Sequence, residues 1–186
     1  MKRLFAAIKI TPDENFLKIY FALVQGLHFA KINWVKPENM HITLKFFGET
    51  MDEKIPLIEE TARESTAGFK PFNINIKNTG IFGSSYNPKV IWFGIEKSEN
   101  LENLAENLLK NLDENGFLRD RQNFVPHLTI GRIKNVQDKR LFQEMIGRYK
   151  SSFIQNVMFD KVILFESLLF KTGPQYKKVS EFSLTA

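Results

Sequence analysis

The chain has 186 residues, 43% of them hydrophobic and 25% charged, enough for one ordinary domain or two small lobes with a real core. It contains no Cys, which excludes a disulfide framework, a thiol nucleophile and a thiolate zinc site, and suits the cytoplasm. A net charge of +5 favours an anionic partner such as RNA. Leu4 to Ile10 alternates and reads as a strand; Lys9 and Pro12 stop its apolar run too early for a secretory leader. No run approaches the length of a membrane span. Thr11-Pro12-Asp13-Glu14 predicts a helix start, with a Thr cap and Pro at the first helical position. Phe16, Leu17, Tyr20, Phe21, Val24 and Leu27 follow at helical spacing. His28 extends that stripe and reads as packing, or as a complement to the helix C-terminus, rather than as a catalytic group.

Lys36-Pro37-Glu38-Asn39 turns into an alternating run from Met40 to Gly48. Thr50 to Glu53 carries a capping-box pattern for a helix to about Thr66, with Pro56 in its first turn. Phe72 to Lys77 alternates as a strand, and Gly80 to Pro88 reads as a loop carrying Phe82 and Tyr86. Val90 to Ile95 is a further strand. Ser98 then caps a helix striped by Leu101, Leu104, Ala105, Leu108, Leu109 and Leu112. Phe124-Val125-Pro126 leads into a second alternating run, and Asp138 opens a helix through Tyr149. Val157 to Phe170 supplies one or two strands. Lys171-Thr172-Gly173-Pro174 turns, and a last strand runs through Val179 to Leu184.

The two alternating runs carry His41-Ile42-Thr43-Leu44 and His127-Leu128-Thr129-Ile130, and so use two of the three His in the chain. Residues two apart on a strand point the same way, roughly 6.6–6.8 Å apart. Each run therefore offers an imidazole and a hydroxyl to one surface while its apolar residues face a core. The offset of 86 between His41 and His127 also relates Leu4 to Val90, Asp13 to Glu99 and Asp52 to Asp138. Both halves, approximately 1–86 and 87–186, read as strand, helix, His strand, helix, strand. A pseudo-two-fold axis would let the His strands face each other across one cleft in a single bilobal domain. Two independent tandem domains are the alternative, but no linker-like stretch separates the halves.

Two imidazoles on opposite walls with hydroxyls between them suit displacement at phosphorus. In-line attack needs a base on one side and an acid on the other, and His takes either role near neutral pH. The Thr hydroxyls are placed to donate to non-bridging phosphate oxygens. No carboxylate sits at close ligand spacing in either motif, and Thr is a poor ligand, so neither a metal nor another cofactor is expected. No Gly-x-Ser-x-Gly elbow, Walker A sequence or Gly-x-Gly-x-x-Gly occurs.

The two motifs resemble the paired His-x-Thr/Ser-x motifs of the 2H phosphoesterases. The surroundings are similar to the RNA 2′,3′-cyclic phosphodiesterase branch, historically called 2′-5′ RNA ligases. Residues 3–8 (Arg-Leu-Phe-Ala-Ala-Ile), Trp34 to Asn39, Leu44 to Glu49 and Val90 to Gly94 carry that likeness, with Phe124 to His127, Arg132 and Gly173 to Tyr176. The resemblance implies the α+β class: duplicated β-α-β-α-β units, two antiparallel sheets flanking a central cleft, and helices outside. It also implies metal-independent hydrolysis of an RNA 2′,3′-cyclic phosphate end to a terminal 2′-phosphate, and the reverse joining of RNA ends through a 2′-5′ bond. His41 would be the proton donor to the departing 3′ oxygen, His127 the acceptor activating water, and Thr43 and Thr129 the phosphate holders. One chain carries both motifs, so a monomer suffices.

Other candidates surround this quartet. Lys45 shares the alternation of His41 and Thr43, and reads either as a phosphate contact or as a solvated side chain at the cleft edge. Arg132 reaches phosphate only if Gly131 bulges its strand. Phe46, Phe82 and Tyr176 are candidates to stack on a base; core packing is the better reading of Phe46, and Phe82 and Tyr176 read equally as pinning the scaffold. The alternatives are another 2H activity, on small cyclic nucleotides or 2′-5′ oligonucleotides, and a non-catalytic RNA-end binding protein.

Overall fold

Among residues 1–119, 124–171 and 173–185, those described by the computed structural model, nine strands and four helices form. In chain order they are β1 (Lys2–Lys9), α1 (Glu14–Gly26), β2 (Ala30–Trp34), β3 (His41–Thr50), α2 (Ile55–Thr66), β4 (Phe72–Gly83) and β5 (Pro88–Ile95). Then follow α3 (Glu99–Glu114), β6 (His127–Val136), α4 (Lys139–Gly147), β7 (Phe153–Phe159), β8 (Lys161–Phe170) and β9 (Gly173–Ser183). None of these helices is long and apolar enough to cross a membrane.

Caps start three of the helices. Ser98 accepts from the Leu101 amide at α3, and Asp138 from the Leu141 amide at α4, both at the positions expected. At α1 the cap is Asp13 rather than Thr11, with the Phe16 amide 2.8 Å from its carboxylate. The Gln155 side chain explains the shift, since it donates to the Thr11 carbonyl and accepts from the Asp13 amide. No capping box forms at α2: the Thr50 hydroxyl donates to the Gly48 carbonyl, and a 3-10 turn over Asp52–Lys54 feeds the helix. His28 is exposed, with its Nδ1 2.9 Å from the Gln25 carbonyl at the end of α1. Phe21 is exposed as well, because the buried face of α1 is Phe16, Ile19, Tyr20 and Leu23.

The strands run in the order β7-β4-β5-β6-β3-β1-β8-β9, with β2 added on β6. The antiparallel strands expected on the two sides of the cleft are continuous, because hydrogen bonding passes from one half to the other through β3 and β6. These meet at one pair, Ile42 opposite Leu128. The reason is β2, which the sequence reading missed. It occupies the edge of β6 from Gly131 to Val136 and leaves β3 only the first residues.

Each half's first helix covers the other half's strands. After β1, α1 packs on β7, and Asn15 donates to the Ile154 carbonyl at 2.7 Å. After β5, α3 packs on α2 and β3, and Asn107 and Asn111 donate to the carbonyl and hydroxyl of Ser65. The core between strands and helices takes Leu4, Ala6, Ile8, Ile42 and Leu44 from one half and Ile91, Phe93, Leu128 and Ile130 from the other. The opposite strand faces therefore stay free to line a cleft.

Several strands are longer than alternation suggests. β4 continues through Gly83, so Phe82 is a strand residue rather than a loop residue. Asn78, at φ 66°, absorbs a kink there, a conformation Asn tolerates better than most residues. β8 and β9 form a long hairpin; Thr172, in the turn expected between them, lies outside the described residues.

Candidate active site

β3 and β6 both begin on their His, and both His are anchored alike. Nδ1 of His41 lies 2.6 Å from the Asn39 carbonyl, and Nδ1 of His127 lies 2.8 Å from the Val125 carbonyl. A carbonyl only accepts, so each Nδ1 carries a hydrogen and each Nε2 is left for chemistry. The anchoring carbonyls are themselves 86 residues apart. Sequence reading missed them, although the offset that relates the His also relates Asn39 to Val125. The Asn39 side chain further donates to the Pro174 carbonyl at 2.9 Å, tying the His41 turn to β9.

Because Ile42 faces Leu128 in an antiparallel register, His41 is set toward Thr129 and Thr43 toward His127. The two His take one diagonal of this square and the two Thr the other. All four side chains are partly buried, whereas Ile42 and Leu128 between them are fully buried in the core. The expected quartet is thus brought together on one face.

Aromatic rings pack each imidazole. Phe5 lies 5.0 Å from His41 between ring centres, and Tyr176 meets it edge-on at 5.1 Å. Phe82 meets His127 edge-on at 4.7 Å and leans on Trp92 at 5.6 Å. Tyr176 and Phe82 therefore hold the histidines as well as lining the cleft. Phe5 and Trp92 were not singled out in the sequence, since both read as ordinary strand residues.

Burial pushes the His41 imidazole down to a pKa of about 4, opposed by its bond to the Asn39 carbonyl. The positive fields of Lys9, Arg132 and His127 push it the same way as burial. Two of those three groups belong to β6, on the facing wall. Burial raises the Tyr176 hydroxyl, against the pull of Arg132 and Arg3.

A matched pair of bulges sorts Lys45 from Arg132. Along β1 and β3, Ala7 pairs with Thr43 but Ala6 with Lys45, so Leu44 is the extra residue. Along β5 and β6, Trp92 pairs with Thr129 but Ile91 with Gly131, so Ile130 is the extra residue. A bulge shifts the alternation by one. Lys45 consequently leaves the His41 face, is 4% exposed, and donates from Nζ to the Leu118 carbonyl at 2.7 Å. This corrects both readings of Lys45, as phosphate contact and as solvated edge residue. Arg132 moves the opposite way, onto the His127 face, and is exposed. The close approach of β2 accompanies it: a Cβ on Gly131 would fall 2.9 Å from the Ile32 side chain and 3.1 Å from Trp34. Phe46 follows the same shift, and at 44% exposure it is not the core residue expected.

A family model for the 2′-5′ RNA ligase superfamily matches residues 24–166. The chain belongs to that superfamily. Curated members include the RNA 2′,3′-cyclic phosphodiesterase of Archaeoglobus fulgidus, 33% identical over 97% of this chain and 99% of its own. That of Thermotoga maritima is 38% identical over 80% of this chain and 77% of its own. Among solved structures, E. coli LigT complexed with 3′-AMP superposes with a TM-score of 0.81, covering 100% of this chain and 99% of that one. At 22% identity, that likeness establishes the shared fold.

Proposed function

We propose that this superfamily member hydrolyses RNA 2′,3′-cyclic phosphate ends to a terminal 2′-phosphate without a metal. The observation carrying this reading is the square of His41, Thr129, His127 and Thr43 around the Ile42–Leu128 pair, with both Nδ1 atoms committed to carbonyls. The named activity of the Archaeoglobus and Thermotoga relatives supports it.

In the proposed reaction His127 Nε2 takes a proton from water as the water oxygen bonds to phosphorus. The bond from phosphorus to the 3′ oxygen breaks, and His41 Nε2 delivers its proton to that oxygen. Thr43 and Thr129 donate to the non-bridging oxygens, and Arg132 offsets phosphate charge from the His127 wall. With a pKa of about 4, His41 is neutral before substrate arrives at neutral pH. A phosphate anion beside the ring favours the charged imidazolium and so makes His41 a proton donor in the complex. With the 5′ hydroxyl of another RNA in place of water, His127 takes its proton and the 5′ oxygen bonds to phosphorus. The bond from phosphorus to the 3′ oxygen breaks with a proton from His41, and the two ends are joined through a 2′-5′ bond. On this reading one chain holds both catalytic walls, so residues 1–186 act as one domain and a monomer is sufficient. A substrate of RNA ends fits the cytoplasmic setting expected from the cysteine-free sequence.

The test incubates the purified protein with EDTA and an oligoribonucleotide ending in a 2′,3′-cyclic phosphate. A 2′-phosphate product is expected, lost by about 10²–10⁴-fold in each of His41→Ala and His127→Ala. Dependence on added metal, or full activity in either variant, would overturn the two-histidine mechanism.

A further inference from the structure

The quartet accounts for the phosphate, but it leaves an exposed aromatic unexplained further along β3. Phe46 is 44% exposed, and the Arg3 guanidinium lies over its ring, 5.1 Å from the centre. Both belong to the cleft face. Arg3 and Phe5 are two apart on β1 and so point the same way, and Phe5 packs directly on His41. The field of Arg3 also reaches Tyr176, which touches the same imidazole.

The duplication sharpens what this pair is for. Phe46 pairs with Phe5 across β3 and β1, as Arg132 pairs with Val90 across β6 and β5. Each stands five residues after its His and beyond a matched bulge. Where one wall carries a guanidinium suited to phosphate, the other carries a flat apolar ring capped by a guanidinium. An exposed ring with a cation on it is suited to stack on a nucleobase, because every base has a π-face and the cation binds passing phosphate.

We propose that Phe46 and Arg3 form a stacking platform for the nucleotide 5′ to the one bearing the cyclic phosphate. This rests on the phosphodiesterase reading above. Strand rise separates Phe46 from His41 by roughly 13–16 Å, whereas Tyr176 and Phe82 touch the imidazoles themselves and stand nearer the base of the reacting nucleotide. The platform therefore serves the neighbouring nucleotide, and it makes the protein prefer an oligonucleotide end over a cyclic mononucleotide.

The experiment measures kcat/KM for a nucleoside 2′,3′-cyclic phosphate and for a dinucleotide bearing the same cyclic phosphate at its 3′ end. The wild-type protein is expected to favour the dinucleotide. In Phe46→Ala the dinucleotide-to-mononucleotide ratio should fall about tenfold, through KM of the dinucleotide. Phe46→Trp should restore the ratio, and Arg3→Gln should lower it by a smaller factor. An unchanged ratio in Phe46→Ala, or no wild-type preference for the dinucleotide, overturns the platform while leaving the phosphodiesterase reading intact. A wild-type protein inactive on both substrates overturns that reading and the platform with it.

Discussion

Nδ1 of His41 lies 2.6 Å from the Asn39 carbonyl oxygen, within a ring of neighbours that holds the imidazole neutral. Burial is the main cause and brings its pKa to about 4 from an ordinary 6.5. Between those values the unfolded chain binds a proton at His41 that the folded chain does not. Stability from this group is therefore complete above pH 6.5 and is lost as pH falls toward 4. Replacing His41 with Gln should remove about 2–3 kcal/mol of the wild-type rise in unfolding free energy between pH 4.5 and 7.5. Urea titrations of both proteins at the two pH values measure it. Equal rises in the two proteins would show that His41 is not held neutral.

The register around Ile42 and Leu128 sets the two Thr on equivalent corners. Thr43→Val and Thr129→Val should therefore lower kcat on a cyclic-phosphate RNA end by similar factors. Each loses one donor to the developing charge on phosphate, worth about 10²–10³-fold. Single-turnover rates, with thermal melts as a check on folding, decide the point. Wild-type kcat in one variant and a large loss in the other would show that the square is not used symmetrically.

What sequence could and could not read follows from the range of the interactions. His41, Thr43, His127 and Thr129 were legible because period two and a constant offset are local patterns, and the helix stripe from Leu101 to Leu112 was legible for the same reason. β2 was missed although Ala30 to Trp34 alternates, because five residues between the end of α1 and a Pro turn are too short a run to stand out, and its pairing with β6 is long-range. The bulges at Leu44 and Ile130 were equally hidden. They arise from strand pairing, and they alone decide that Lys45 turns inward while Phe46 and Arg132 turn to the cleft. The Asp13 cap depends on Gln155, over a hundred residues away. Alternation gives a face only until the first bulge.

That difference between Lys45 and Arg132 is measurable. Lys45→Met should cost about 1–2 kcal/mol of stability through the lost bond to the Leu118 carbonyl, with kcat/KM on RNA near the wild-type value. Arg132→Met should do the reverse, raising KM several-fold and weakening its dependence on salt, with little change in melting temperature. A catalytic defect in Lys45→Met at wild-type stability would put its ammonium back in the cleft.

Gly80 and Trp92 test how far the aromatic support of His127 matters. A Cβ at Gly80 would fall 2.2 and 2.3 Å from two atoms of the indole ring. Gly80 pairs directly with Trp92 across β4 and β5, so Gly80→Ala must push the indole aside, at a cost of about 1–3 kcal/mol. Trp92 supports Phe82, and Phe82 packs on His127, so the displacement reaches the imidazole. Activity well below the melting temperature should fall as well as stability. Gly147→Ala is the matched comparison: its Cβ would meet nothing within 4 Å at the end of α4. That change should raise stability by about 0.4–1 kcal/mol through the unfolded chain and leave kcat alone. If Gly80→Ala melts early but keeps full kcat at low temperature, the indole is packing only, and His127 is positioned by the Val125 carbonyl without it.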